Sequence, residues 1–144
     1  MRFELIDRVL ERHEDRLVAV KNVTNAEEYL ADHFPGFAVL PGVMMLETMV
    51  QAARLLLAGS FDERDTAGSQ ARPSDRCGRS EPLVMTQVRN VRYGQMVRPG
   101  QSLVVEVVIR GRDGQGVELA GVGKVGDQVA VQGRFRMAPL SMSA

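Results

Sequence analysis

The feature that most constrains this chain is a helical segment, residues 42–58, whose apolar side chains cover most of its circumference. Two adjacent stripes at helical spacing carry these side chains: Leu46, Val50, Ala53 and Leu57 in one, and Met45, Met49, Ala52 and Leu56 in the other. A helix that is apolar on several sides must be surrounded by other structure. The helix would be roughly 25 Å long at 1.5 Å per residue. The rest of the fold therefore has to enclose it.

Strand-like segments occur on both sides of this helix in the sequence. Residues 3–23 indicate a hairpin that turns at residues 13–15, and the face of its second strand carries Leu17, Ala19 and Lys21. Four more strand-like segments follow the helix: residues 83–92, 102–110, 116–125 and 128–137. Turn-forming pairs separate the last three, at residues 113–114 and 126–127. This order predicts an α+β fold in which a curved antiparallel β-sheet wraps around a long central α-helix.

A short helix is expected between the hairpin and the long helix. Thr24 or Asn25 would cap it, and its first turn would carry the acidic residues that a helix N-terminus favours. It should end before His33, because Pro35 lacks an amide donor and biases Phe34 away from helical angles.

The composition excludes several classes of protein. The 144 residues fit one domain, and 18 Lys plus Arg balance 18 Asp plus Glu, without the basic excess that a nucleic-acid binder needs. Cys77 is the only cysteine, so it has no partner for an internal disulfide. The N-terminus lacks the apolar block of a signal peptide, and no segment is apolar enough for a membrane span. We expect a soluble, cytoplasmic protein.

Residues 59–81 interrupt the pattern of strands and helices. Polar, charged and small residues predominate there, so little apolar surface is available to offset the entropy of ordering. We expect a flexible insertion within the single domain, with a functional lid or a partner-binding loop as the alternative.

Residues 32–51, which read DHFPGFAVLPGVMMLETMVQ, carry three kinds of reactive group on one short segment. His33 lies on a loop stiffened by proline and glycine, Gly42 begins the long helix, and Glu47 follows one and a half turns later among apolar neighbours. An imidazole, a backbone donor and a buried acid indicate proton-transfer chemistry.

The same segment closely resembles the HFPGxPVxPGVxxxEAMAQ signature of the FabZ-type 3-hydroxyacyl-[acyl-carrier-protein] dehydratases. The resemblance extends along most of the chain. Residues 5–9 are similar to that family's LLVDRV strand, residues 20–24 to its second strand, and residues 92–93 and 97–100 to its KF…VxPGD segment. The family fold is the hot dog, which agrees with a sheet wrapped around a helix.

The resemblance implies a reversible elimination of water from a 3-hydroxyacyl thioester, as in fatty acid biosynthesis, without a metal or nucleotide cofactor. His33 would remove the proton next to the thioester carbonyl, a role that suits imidazole near neutral pH. Glu47 would help the hydroxyl leave as water, and the Gly42 amide would bind the thioester oxygen. Four neighbours would support the loop, the helix start or the carboxylate: Phe34, Gly36, Pro41 and Gln51.

The family's active sites form between two subunits, so the resemblance implies a homodimer and allows a hexamer built as a trimer of dimers. His33 and Gly42 would then serve one acyl group, and Glu47 would serve the site across the dimer. The implied partner is an acyl carrier protein that bears 3-hydroxyacyl chains.

Two further groups of residues have alternative interpretations. Three methionines are either core residues or the lining of a flexible acyl tunnel: Met44, Met45 and Met96. Three arginines are either a solvated face or a docking patch for an acidic carrier protein: Arg89, Arg92 and Arg98. Glu47 could instead pair with Arg54, although a separation of seven residues is a poor match for direct pairing on a helix.

The chain departs from the family pattern beside the histidine. Asp32 replaces a glycine, and Phe37 and Ala38 replace a basic residue and a proline. Two rival functions therefore stay open. One is a hot-dog thioesterase or enoyl-CoA hydratase, and the other is a non-catalytic hot-dog subunit that binds acyl chains.

Overall fold

The structure is a computed structural model, and it describes residues 4–59 and 82–140. Its elements follow one another along the chain as β1 (Arg8–Arg12), β2 (Arg16–Asn22), α1 (Tyr29–Asp32), α2 (Gly42–Gly59), β3 (Leu83–Tyr93), β4 (Ser102–Asp113), β5 (Gly116–Val125) and β6 (Gln128–Pro139). The predicted insertion lies outside the described residues, apart from Gly59.

All six strands belong to one antiparallel sheet with the order β1-β2-β4-β5-β6-β3. The predicted α+β fold is confirmed, and the strands after α2 match their predicted ranges with extensions of a few residues. After α2 the chain crosses to the far side of the sheet, where β3 pairs with β6. Among the described residues, β1 and β3 are therefore the two edge strands.

Helix α2 packs on one face of this sheet, and most of its two predicted stripes is buried in the core. The helix and the sheet approach closely at Gly121 of β5, where a Cβ atom would lie 2.7 Å from the sulfur of Met49. Phe135 of β6 closes the same region, with 3.3 Å between its ring and that Cβ position. Each fully buried large side chain of this kind contributes about 1.5–3 kcal/mol relative to leaving it in water. The helix is enclosed as its sequence requires.

Helix α1 is shorter than the sequence indicates. It begins at Tyr29, because the chain first makes a turn in which Ala26 N–H donates to Thr24 Oγ1 at 3.3 Å. The carboxylate of Glu27 in turn accepts the Thr24 N–H at 2.9 Å. This reciprocal arrangement is similar to a capping box, except that the hydroxyl accepts the N–H two residues on instead of three, and the helix starts only at Tyr29. Its end at Asp32, just before His33, is as predicted.

Within residues 4–59 and 82–140, neither helix has the length and apolar content that crossing a bilayer would require.

Candidate active site

The loop after α1 is a tight turn that leads from His33 towards α2. Phe37 N–H donates to the Phe34 carbonyl at 3.0 Å, and Phe34 N–H donates back to the Phe37 carbonyl at 3.0 Å. Pro35 and Gly36 occupy the central positions, and Gly36 has a φ of 77°. This combination is typical of a type II turn, whose third position needs a positive φ. The turn therefore explains why Pro35 and Gly36 follow the histidine.

The imidazole of His33 is oriented by the same loop. Its Nδ1 lies 3.1 Å from the carbonyl oxygen of Val39, and Val39 N–H donates to the His33 carbonyl at 3.0 Å. A carbonyl can only accept, so Nδ1 carries the proton and Nε2 of the neutral ring keeps its lone pair. The ring also stacks on Phe34, with 4.5 Å between centroids. A neutral His33 ring held in this way can accept a proton only at Nε2.

Gly42 begins α2, and two features define its surroundings. The Pro41 carbonyl accepts the N–H groups of Met44 and Met45 at 3.0 and 3.2 Å, whereas the Gly42 amide has no acceptor among the described residues. A Cβ atom on Gly42 would lie 2.8 Å from the ring of Tyr93, so this half-exposed ring would have to shift to accept a side chain. Tyr93 therefore also favours glycine here. No local sequence pattern indicates this contact, because Tyr93 lies 51 positions further along the chain.

Two residues on the same helix, Gln51 and Arg54, contact the Glu47 carboxylate. Gln51 Nε2 donates to Glu47 Oε1 at 3.3 Å, and Gln51 Oε1 accepts the N–H of Leu5 at 2.8 Å. A backbone N–H can only donate, so this contact fixes which end of the Gln51 amide faces the carboxylate. The side chain of Glu47 is 32% exposed, so it is less buried than its apolar neighbours indicate.

The expectation that Arg54 is too far along the helix to pair with Glu47 is wrong. Arg54 Nη1 lies 3.7 Å from Glu47 Oε1, while its Nε donates to the Leu83 carbonyl at 3.0 Å. The arginine side chain is long enough to reach back two turns when β3 anchors its other donor. The pair is partly solvated, so it contributes little stability.

His33 and Glu47 do not share a hydrogen bond within the described part of the chain. Each has its own partners, on the loop and on α2 respectively. One chain therefore presents two separately organised groups.

The three methionines differ in their exposure. Met45 is buried in the core, Met44 is partly buried at its margin, and Met96 is exposed in the segment after β3.

The three arginines make different contacts. Arg89 pairs with Glu118, and Arg92 lines a shallow groove on the sheet face turned away from α2. Arg98 lies in the loop after β3, where its guanidinium stacks over the Phe37 ring at 4.5 Å from the centroid. The stacking of Arg98 on Phe37 thus connects the histidine loop to the segment after β3. Phe37 is one of the two residues, with Ala38, at which the chain departs from the family signature.

A cavity of about 600 Å³ lies beside the histidine loop. Its lining includes Leu30, Phe34, Ala38, Arg98 and Gln101, but not His33 or Glu47. Among residues 4–59 and 82–140, no three His, Cys, Asp or Glu side chains are grouped so that they could hold a metal ion.

Comparisons with known proteins agree with this fold and with the family resemblance of residues 32–51. A FabA-like domain model matches residues 1–134. The 3-hydroxyacyl-[acyl-carrier-protein] dehydratase FabZ of Paracidovorax citrulli is 37% identical over 131 residues, covering 90% of this chain and 82% of that protein. The FabZ of Solibacter usitatus is 33% identical over 130 residues, covering 90% of this chain and 72% of that protein.

Among solved structures, the dehydratase heterocomplex ApeI:P from Xenorhabdus doucetiae superposes with a TM-score of 0.71 at 19% identity, covering 94% of this chain and 82% of that one. Fold and sequence define a hot-dog protein. The chain belongs to the FabA-like family and, within it, to the FabZ-type dehydratases, which confirms the resemblance.

Proposed function

We propose that this protein eliminates water from 3-hydroxyacyl thioesters carried on acyl carrier protein and yields trans-2-enoyl thioesters. The observation that carries the proposal is the hydrogen bond from His33 Nδ1 to the Val39 carbonyl, because it leaves Nε2 free to take a proton. The FabZ relatives, which match 90% of the chain, support the same reaction.

The residues divide the reaction between them. Nε2 of His33 removes a proton from the carbon next to the thioester carbonyl, and the electrons of that C–H bond form the new double bond. The C–O bond at the neighbouring carbon breaks, and the carboxyl group of Glu47 gives a proton to the departing hydroxyl, which leaves as water. The Gly42 amide donates to the thioester oxygen, where negative charge develops, and one such donor is typically worth about 10²–10³ in rate.

Two subunits are needed to complete each site in this proposal. Within one chain the imidazole and the carboxylate have separate partners, and several large apolar side chains near them are exposed: Phe34, Val43, Tyr93 and Met96. Val43, at the start of α2, is 71% exposed. Strand β3 is at the edge of the sheet, and one of its two sides has no neighbouring strand among the described residues. A second subunit would cover these surfaces and bring its Glu47 to His33, and a trimer of such dimers is compatible with this arrangement.

The carrier protein would dock near the histidine loop. Arg98 is the best placed of the three candidate arginines, because it stacks on that loop and lines the adjacent cavity. Arg89 is already paired with Glu118, so it and Arg92 would contribute mainly to the long-range field.

The direct test measures enoyl formation and free thiol release in parallel from 3-hydroxybutyryl groups on acyl carrier protein and on coenzyme A. We expect enoyl formation, preferentially from the carrier protein, and a loss of about 10²–10⁴-fold in His33→Ala and Glu47→Gln. His13→Ala removes the only other histidine, which is exposed near a hairpin turn, and serves as the matched control. Thiol release without enoyl formation would instead identify a thioesterase. Acyl binding without turnover would identify a non-catalytic subunit.

A further inference from the structure

A partly buried cluster of polar side chains lies immediately before the histidine loop in the chain. Lys21 of β2 is only 4% exposed, and its ammonium pairs with Oε1 of Glu27. The hydroxyl of Tyr29 donates to the same oxygen, and Thr24 N–H donates to the other carboxylate oxygen at 2.9 Å. The proposed reaction uses none of these groups.

The burial of Lys21 needs an explanation, because an ammonium in an apolar setting is costly unless it is paired. Lys21 shares the core-facing side of β2 with Leu17 and Ala19, both fully buried. Glu27 is the only anionic partner of Lys21 among the described residues. Burial alone would raise the pKa of Glu27, but the hydrogen bonds from Lys21, Tyr29 and Thr24 hold that pKa below its ordinary value. The carboxylate is therefore charged and fixed by three donors at neutral pH.

This carboxylate anchors the element that ends at the histidine. Helix α1 has four residues and no side-chain hydrogen bond at its N-cap, so it has little stability of its own. Two contacts hold it on the sheet: the buried side chain of Leu30, and the Glu27 side chain with its donors. The backbone carbonyl of Glu27 also accepts the Leu30 N–H at 3.1 Å. His33 follows directly as the C-cap residue.

We propose that Glu27, clamped between Lys21 and Tyr29, is a positioning residue that fixes α1 on β2 and thereby holds the His33 imidazole in the Nδ1-protonated form. Glu27 does not touch the reacting atoms. Its effect on turnover rests on the proposed function, whereas its effect on the imidazole does not.

The test reads the tautomer of His33 by ¹⁵N NMR of the imidazole nitrogens. The chain has two histidines, so His33→Ala assigns the signals and His13 is an internal reference. Removing both charges together, with Lys21→Met and Glu27→Gln, avoids leaving an unpaired buried charge. We expect the His33 signals of this double variant to move from the Nδ1-protonated form towards a mixture of tautomers, with the His13 signals unchanged.

A matched control removes a different ion pair. Arg136 Nη1 lies 2.8 Å from Asp113 Oδ2. Asp113 is the last residue of β4, ten residues along that strand from Leu103, the partner of Lys21. Arg136→Met with Asp113→Asn should leave the His33 signals as they are in the parent. Lys21→Arg keeps a cation beside Glu27, so it should retain the parent spectrum where the double variant does not.

Kinetics provide the second readout. In the Lys21→Met, Glu27→Gln variant we expect kcat to fall about tenfold to a hundredfold with KM within about twofold, as for a misplaced catalytic group. An unchanged His33 spectrum in the folded double variant would overturn the inference, whatever its activity.

Should the double variant fail to fold by circular dichroism, Tyr29→Phe takes its place. It removes one of the three donors and should shift the His33 signals in the same direction, and an unchanged spectrum in that folded variant would overturn the inference too. A parent protein without dehydratase activity, but with the expected tautomer change, would contradict the proposed function and leave the positioning role intact.

Discussion

Nε2 of Gln51 donates a hydrogen bond of 3.3 Å to Oε1 of Glu47, one helical turn before it. The other end of the same amide accepts the backbone N–H of Leu5, so the carboxylate is linked through one side chain to the segment before β1. Gln51 therefore connects the proposed acid, Glu47, to the segment of the chain that precedes β1.

Substitutions at Gln51 should separate the contact with Glu47 from the contact with Leu5. Gln51→Leu removes both and leaves the Leu5 N–H without its acceptor, so we expect a loss of about 1–3 kcal/mol in the free energy of unfolding together with reduced turnover. Gln51→Glu keeps an acceptor for Leu5 but places a second carboxylate against Glu47. This variant should lose turnover with a smaller loss of stability, as measured by urea unfolding and enoyl formation. Equal activity in Gln51→Leu and the parent would contradict a role for this amide.

The contact between Gly42 and Tyr93 predicts a coupled pair of substitutions. Gly42→Ala would place its methyl group 2.8 Å from the Tyr93 ring and displace that half-exposed ring, so we expect a loss of about 1 kcal/mol, at the low end for overpacking. Tyr93→Ala should relieve the clash, giving a coupling energy of about 0.5–3 kcal/mol in a double-mutant cycle followed by urea unfolding.

Gly111→Ala is the matched control, because no atom lies within 4 Å of its Cβ position and its φ is not in the left-handed region. We expect it to change the free energy of unfolding by no more than about 0.5 kcal/mol. Additive losses in the Gly42 and Tyr93 double variant would show that the two residues do not constrain each other.

The stability of the protein at alkaline pH should depend on Tyr29. Burial, and then its hydrogen bond to Glu27, raise the pKa of Tyr29 above that of an ordinary tyrosine. A phenol has a pKa of about 10 in an unfolded chain, so the stabilisation is complete below that pH and is lost as pH rises through the folded value.

Tyrosinate absorbance can follow this group, because the chain has two tyrosines and Tyr93→Phe leaves only Tyr29. We expect Tyr29 to ionise above the usual range, and the alkaline fall in urea stability to become smaller in a Tyr29→Phe variant of that background. Ionisation of Tyr29 at the ordinary pH, with no difference between the two proteins, would contradict the burial of this hydroxyl against Glu27.

Much of the fold could be predicted from the sequence because local patterns determine it. The all-round apolar helix at residues 42–58 required an enclosing sheet, and alternation in residues 102–110 and 128–137 identified its strands. The strip from His33 to Gln51 could be identified for the same reason, since its residues are close in sequence. In contrast, α1 starts later than expected, because residues 24–27 close a separate turn in which Glu27 N–H donates to the Thr24 carbonyl at 3.4 Å.

Contacts between distant segments could not be predicted. The ring of Tyr93 against Gly42 and the anchoring of Arg54 on Leu83 depend on how β3 crosses to α2. The burial of Lys21 depends likewise on the loop that brings Glu27 over β2. No periodicity or local motif encodes such pairings, and they determine how the site residues are held.

Subunit complementation tests whether each site combines His33 of one subunit with Glu47 of the other. The His33→Ala and Glu47→Gln chains would be co-expressed with different tags, and mixed dimers isolated by two successive affinity steps. One of the two sites in each mixed dimer would hold both native residues, so we expect about half of the parent activity from two nearly inactive chains. Mixed dimers as inactive as either variant alone would contradict it.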